Sequence, residues 1–261
     1  MIKIGDIVRR LLFKLLSFEN YLRVLSKLYF LSFNMGLLRK NRLYQYPYFL
    51  NKIINRGDIC IDIGANMGYF TVLLSKITGS KGKVYAVEPV KPILSILKKN
   101  TKNLKNVKIH PFALGKENKF IKLGNNSIKK KGFIASGSHY ILDQKFNQTT
   151  DSEIEFDGEM KKGSELFYHL DKLDFIKCDI EGYERVVIPE IEPIILKFTP
   201  IVLIEARGEN RIQMLELFEK NKFSAFVLKN GKLHPTKEDE FLDILFVPQD
   251  KLENINLFLT S

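Results

Sequence analysis

Apolar residues recur at helical spacing at the start of the chain: Ile4, Ile7, Val8, Leu11, Leu12, Leu15 and Leu16, then Leu22, Leu25, Leu28 and Tyr29. A period of three to four residues collects apolar side chains on one side of a helix, so the spacing predicts two helices within residues 2–43. From residue 58 the pattern changes. Short apolar runs of strand length lie at 59–63, 83–87, 107–109, 175–179 and 201–205, with amphipathic helical stretches at 69–77 and 92–102 between the first three. A helix over 211–221, a strand over 224–228, a turn at Asn230-Gly231 and a last strand over 243–247 follow. Strands alternating with helices imply a mostly parallel sheet, here of seven strands, with helices on both faces. The expected fold is Rossmann-like α/β, preceded by the N-terminal helices.

Residues 116–170 interrupt the alternation. The stretch is polar, rich in Gly, Ser, Asn and Lys, with short β-like pieces at 132–135 and 153–156. It reads as an insertion forming a substrate loop; a surface insertion without a role is the alternative. The expected organisation is a helical segment, 1–48, and a catalytic domain, 49–261.

Charge changes the picture of the first segment. The 261-residue chain carries a formal net charge of +11. Eleven Lys and Arg residues up to Arg56 face only Asp6 and Glu19, so nine of the eleven excess charges sit there. Arg9, Arg10 and Lys14 lie mostly off the first apolar stripe. A basic amphipathic helix of this kind suits peripheral contact with an anionic membrane; packing of the stripe on the catalytic domain is the rival. No stretch reaches the ~20 apolar residues of a spanning helix. Lys14 also interrupts what would be a signal-peptide core. The expected location is the cytoplasm, with the inner membrane face as the site of any peripheral contact. Cys60 and Cys178 sit in apolar runs without metal or disulfide spacing and read as buried thiols. His110, His139, His169 and His234 form no metal-binding pair, and no metal site is expected.

The densest chemical signal is Ile59-Cys-Ile-Asp-Ile-Gly-Ala-Asn-Met-Gly-Tyr-Phe70, an apolar strand running into glycines and then a helix. Gly64 allows a sharp turn close to a ligand, and Gly68 allows close packing at the helix start. The GxxxG spacing differs from the GxGxxG of pyrophosphate-binding dinucleotide enzymes. Asp62 and Asn66, with Ala65 between the turn residues, suit the amino-acid moiety of a ligand without phosphate. Glu88 ends the second strand, twenty positions after Gly68, where a carboxylate can accept both hydroxyls of a ribose. S-adenosylmethionine is the cofactor that combines these demands.

Together, Asp62-Ile-Gly-Ala-Asn-Met-Gly-Tyr-Phe70, Val87-Glu-Pro89, Phe112-Ala-Leu-Gly115 and Asp174-Phe-Ile-Lys-Cys-Asp-Ile-Glu-Gly-Tyr-Glu184 resemble the FkbM family of methyltransferases. The similarity spans residues 58–247. It implies methyl transfer from S-adenosylmethionine, usually to an oxygen, with sugar, glycan and natural-product hydroxyls as acceptors. It also brings Ala113 into the cofactor site. Cys178 departs from the usual aliphatic residue, and Ser136-Gly-Ser-His139 matches the family's Ser-rich segment only loosely.

A hydroxyl acceptor must lose its proton. Asp179, Glu181 and His139 are the candidates, with Glu205 at the end of the next strand. Asp179 and Glu181 could instead cap the following helix, or with Glu205 hold a divalent cation. Three competing functions stand against this assignment. A nucleic-acid methyltransferase fits the basic charge, but Asp179-Ile-Glu-Gly-Tyr183 stands where base-amine enzymes carry an Asn/Asp-Pro-Pro-aromatic motif. Two carboxylates there would repel a phosphate backbone, so no nucleic-acid partner is expected. An NAD-dependent oxidoreductase is disfavoured by the glycine spacing. A membrane-associated, non-catalytic S-adenosylmethionine-binding protein is the third.

Overall fold

The computed structural model describes residues 4–142, 152–235 and 242–260. Residues 143–151 of the insertion lie outside them. Helices α1 (Ile4–Leu15), α2 (Phe18–Asn34) and the short α3 (Gln45–Phe49) come first. The alternating region follows as β1 (Ile59–Ile63), α4 (Tyr69–Thr78), β2 (Lys83–Val87), α5 (Lys91–Thr101) and β3 (Val107–His110). β4 (Ala113–Leu114) leads into the insertion, which holds β5 (Lys119–Asn125), α6 (Ser127–Lys131), β6 (Tyr140–Ile141), β7 (Ile154–Lys161) and α7 (Gly163–Phe167). The chain returns to the main sheet with β8 (Phe175–Cys178), α8 (Glu184–Glu190), α9 (Glu192–Phe198), β9 (Ile201–Glu205) and α10 (Gly208–Lys220). It ends with β10 (Phe223–Lys229), β11 (Lys232–Pro235) and β12 (Asp243–Pro248), then a 3-10 segment.

The main sheet has the order β11-β10-β12-β9-β8-β1-β2-β3. It therefore has eight strands rather than the expected seven. The extra strand, β11, is the second arm of the hairpin closed by Asn230-Gly231, where both residues take positive φ. From β9 to β3 the pairing is parallel, and only β12 and β11 run against the rest. The central strands are mostly apolar because they are covered on both faces, with Asp62 of β1 and Lys177 of β8 as the buried exceptions. Alternate residues feed different cores: Ile61, Ile63 and Ile176 pack on one side, Cys60, Phe175 and Leu203 on the other.

The insertion is not a loop. With β4 it forms a four-stranded sheet, β4-β7-β5-β6, in which β5 and β7 pair antiparallel from Lys119↔Met160 to Asn125↔Ile154. β7 alternates strictly, with Glu155, Asp157 and Glu159 outward. The β-like piece at 132–135 is irregular instead, its Phe133 and Ile134 buried. The N-terminal helices share the core of the catalytic domain. Tyr21 and Leu22 are fully buried in it, Leu12, Phe13 and Leu16 pack against it, and Asn100 on α5 donates to Ser26.

Parallel strands bring their carboxyl ends to one edge of the sheet. Glu88 follows β2, Asp179 follows β8 and Glu205 ends β9. β12 runs the other way, so its first residue, Asp243, pairs with Glu205 at the same edge. The fold thus gathers four carboxylates where ligands of such sheets bind.

Candidate active site

At that edge a cleft of about 640 Å³, counting space open to solvent, lies between the main sheet and the insertion. Such a volume is within the usual range for small-molecule sites. Gly64, Asn66, Glu88, Ala113, His139, Asp179 and Glu181 all line it. Asp62, Ala65 and Gly68 do not. Asp62 is fully buried beneath the loop and accepts from Thr71 Oγ1 at 2.5 Å. Ala65 donates its N–H to Val87 at 2.9 Å, closing the turn. Gly68 precedes α4 at φ 89°, where a Cβ would meet Leu97 of α5 at 2.8 Å. These three shape the loop from below.

Gly64 is the tightest point. Its φ is +74°, and a Cβ there would lie 2.0 Å from the backbone oxygen of Asp179. The first and fourth parallel strands therefore meet through bare backbone, with no room for a side chain. Asn66 also takes a left-handed conformation, φ 52°, and its Oδ1 accepts from Met67 N–H at 2.7 Å. Asparagine tolerates this geometry better than most residues.

Glu88 holds the loop and faces the cleft. Its Oε2 accepts from Asn66 N–H and its Oε1 from Val90 N–H, both at 2.9 Å. A carboxylate offers about four acceptor positions, so two stay open. Burial pushes Glu88 up to about 7, against the pull of those two hydrogen bonds and of Lys177.

Sequence reasoning missed Lys177. It is 5% exposed, in an otherwise apolar strand. Its Nζ donates to the Gly64 carbonyl at 3.0 Å and lies 3.3 Å from Asp179 Oδ2 and 3.8 Å from Asp62 Oδ1. The register explains the grouping: Lys177 pairs with Asp62 across β1 and β8. One buried ammonium ties the glycine turn, the buried Asp62 and the carboxylate in the cleft. Burial raises Asp62, and the Lys177 charge opposes that shift. Lys177→Met should leave Asp62 without its cation. Breaking such a buried pair costs about 3–5 kcal/mol, a fall in melting temperature of roughly 6–20 °C. Melting unchanged by the substitution would show that the ammonium holds nothing together.

Asp179 and Glu181 do not cap α8. That helix has no side-chain cap at its start; Glu184, fully buried, reaches back to accept from Ile180 N–H at 2.7 Å. Both candidates are thus left facing the cleft. Glu181 sits at φ 55°, an uncommon conformation for a non-glycine residue and a mark of functional sites. Loss of hydration, then the like charges of Asp179 and Glu205, pushes Glu181 up to about 7. The residue as a whole is exposed, so the crowding of carboxylates is the part of that shift that survives contact with water.

His139 lines the cleft but its ring is engaged. Ser127 N–H donates to Asn125 Oδ1, so Asn125 Nδ2 must donate to His139 Nε2, 3.3 Å away. The proton therefore sits on Nδ1, which donates to the Ser136 carbonyl at 3.0 Å. Burial pushes His139 down to about 4. Its basic nitrogen is already occupied, which makes it a brace for the Ser136–His139 segment rather than a proton acceptor. Gly137 of that segment faces Asn66, so the insertion covers the glycine loop.

Beyond Glu181 the cleft continues into a second recess lined by Glu184, Glu205, Arg207 and Asn210. Arg207 Nη2 donates to Glu205 Oε1 at 2.5 Å. Asn210 is 8% exposed; its Nδ2 donates to Glu184, and its Oδ1 has no partner among the described residues. Among the described residues no three His, Cys, Asp or Glu side chains are placed to hold a metal ion.

Among the described residues no lysine or arginine lines the main cleft; three carboxylates do. The family profile described as the methyltransferase FkbM domain matches residues 62–225, from the buried aspartate of β1 into β10. The chain belongs to the FkbM methyltransferase family. S-adenosylmethionine is the cofactor of such a domain, and the cleft suits a cationic, phosphate-free nucleoside. No curated protein matches the sequence. Among solved structures, the FkbM methyltransferase from Methylobacillus flagellatus KT is 16% identical at a TM-score of 0.50 and shares the fold. The match covers 78% of this chain and 47% of that one, so this chain spans about half the length of that relative. Fibrillarin from Aeropyrum pernix, solved with natively bound S-adenosyl-L-methionine, is 12% identical at 0.42, covering 77% and 72%. An rRNA methylase from Streptococcus thermophilus is 12% identical at 0.43, covering 79% and 95%.

Proposed function

We propose that this FkbM methyltransferase methylates a hydroxyl oxygen on a sugar, glycan or natural product. The observation that carries this is the charge of the cleft: among the described residues Glu88, Asp179 and Glu181 line it, and no cation does. A dinucleotide or a nucleic-acid backbone would bring phosphates against those carboxylates. A sulfonium nucleoside brings positive charge and hydroxyls. Glu88 holds the ribose hydroxyls through its open acceptor positions. Val87, Pro89, Val90, Ala113 and Leu114 supply the apolar wall for the base. The loop of Gly64, Ala65 and Asn66, on its bed of Asp62 and Gly68, holds the amino-acid end.

The bound cofactor supplies an electrophilic methyl on sulfur. The protein's part is to align an oxygen with it and to remove that oxygen's proton. Glu181 receives the proton. Asp179, fixed by Lys177, orients the acceptor. The recess at Glu205, Arg207 and Asn210 binds the rest of the acceptor, with the unpartnered Asn210 Oδ1 accepting from a hydroxyl. Nine of the eleven excess positive charges lie within residues 1–56, where exposed aliphatic side chains also cluster, a poor match for nucleic acid. Two buried thiols without a disulfide suit the cytoplasm.

The test is transfer of labelled methyl to a panel of free sugars, nucleotide sugars, oligosaccharides and RNA. Label should enter a carbohydrate or polyol fraction as a methyl ether, identified by carbon NMR. Label entering RNA, or only nitrogen, would overturn the reading.

A further inference from the structure

Helix α1 has two apolar faces, and the fold uses only one. Leu12, Phe13 and Leu16 pack on the core. Ile7, Val8, Leu11 and Leu15, the stripe most evident in the sequence, point away from it and are 55%, 46%, 57% and 72% exposed. α2 repeats the arrangement. Tyr21, Leu22 and Ser26 are buried, while Leu28, Leu31 and Met35 are exposed beside Lys27. Nine of the fourteen exposed large hydrophobics among the described residues fall within the first 43 positions. A clustering of this kind marks an interaction surface rather than ordinary surface apolarity.

We propose that the outer faces of α1 and α2 dock onto an anionic phospholipid surface. The proposal is independent of the methyl acceptor. Charge selects the occupant. The two helices carry Arg9, Arg10, Lys14, Arg23 and Lys27 against Asp6 and Glu19, a net charge of +3, and Arg39, Lys40 and Arg42 follow in sequence among the exposed Leu37 and Leu43, so a second copy of the chain would meet like charge at the same face. Nucleic acid would satisfy the charge but leave the leucines unpaired. A bilayer with acidic headgroups satisfies both, the aliphatics entering the interface while lysines and arginines meet the headgroups. No helix among the described residues is long and apolar enough to cross a membrane, so the contact is peripheral. The docking helices are also tied to the segment that leads into the wall of the cleft. Arg10 Nε donates to the Lys131 carbonyl at 2.7 Å, Arg9 lies over the Phe133 ring, and Tyr21 Oη donates to the Ile134 carbonyl at 3.1 Å. That segment continues directly into Ser136–His139, so membrane docking braces the cover of the active site.

The test is flotation of the full chain with vesicles of phosphatidylcholine, with and without phosphatidylglycerol. The protein should float with the anionic vesicles at low salt, much less at high salt, and not with phosphatidylcholine alone. Ile7→Gln, Leu11→Gln and Leu15→Gln combined should lower flotation by roughly tenfold or more, because the side chains that enter the interface are gone. These residues touch solvent, so melting and cofactor affinity should not change. If the triple variant melts below the parent, Lys14→Glu with Lys27→Glu carries the test and should lower binding to anionic vesicles alone. A full chain that stays down with anionic vesicles at low salt overturns the proposal. So does equal flotation of the variants, or a parent dimer seen by light scattering that the triple variant abolishes without any vesicle binding.

Discussion

Glu181→Gln is expected to slow methyl transfer by roughly 10²–10⁴-fold, the usual worth of a positioned general base, while cofactor affinity changes little. Glutamine keeps the size and the hydrogen-bonding reach of the side chain but cannot take a proton. The pH dependence separates this role from a structural one. An acid whose folded-state value is raised stays protonated, and idle as a base, until the pH passes that value. With Glu181 held above the ordinary carboxylate range by the charges of Asp179 and Glu205, turnover in the parent should climb as pH rises through its raised value. Glu181→Gln should lose the rise. Asp179→Asn should also lower turnover but keep the rise, moved to lower pH, because removal of the neighbouring charge relieves the crowding. Should Asp179→Asn abolish the rise and Glu181→Gln retain it, the two roles are exchanged.

Gly64→Ala should remove activity and destabilise the protein together. The left-handed backbone costs an L-residue about 1–2 kcal/mol. Forcing a methyl group into packed structure adds about 1–3 kcal/mol. The combined loss of about 2–5 kcal/mol corresponds to a melting temperature roughly 4–20 °C lower. Here the obstruction is the Asp179 carbonyl, which cannot swing aside as a side chain would, so the strand that presents Asp179 must move. Gly57→Ala is the matched control. Gly57 has φ +90°, but a methyl group on its Cα would meet nothing within 4 Å, so only the backbone cost applies. Equal melting of the two variants would mean that β1 and β8 do not meet as closely as described.

Much of the catalytic sheet was legible because its strands are buried on both faces. A mostly apolar run ending in glycine or a carboxylate leaves little choice, as at 59–63 and 201–205. Glu88 was legible for a related reason: its distance from the glycine turn places it at the neighbouring strand end. The insertion was less so. β5 and β7 each have one polar face, their pairing is remote in sequence, and polar composition masks the period of two. Helices α8 and α9 are seven residues each and carry Pro189 and Pro193, so neither offers a full periodic signal. Lys177 was invisible for a different reason. A lysine in an apolar run looks like an interruption until β1 and β8 are neighbours and Asp62 stands opposite it. The apolar stripe of α1 was seen, but which of its two faces packs on the core depends on where α2 and α5 lie.

Calorimetric titration of the purified chain tests the cofactor site most directly. S-adenosylmethionine and its demethylated product should each bind at one site per chain, and NAD should give no heat. Glu88→Ala should weaken both by about 1–3 kcal/mol, roughly 5- to 150-fold, because the ribose hydroxyls and the Asn66 and Val90 N–H groups lose their acceptor. Binding of NAD in preference to S-adenosylmethionine, or undiminished affinity in Glu88→Ala, would contradict the assignment of this cleft.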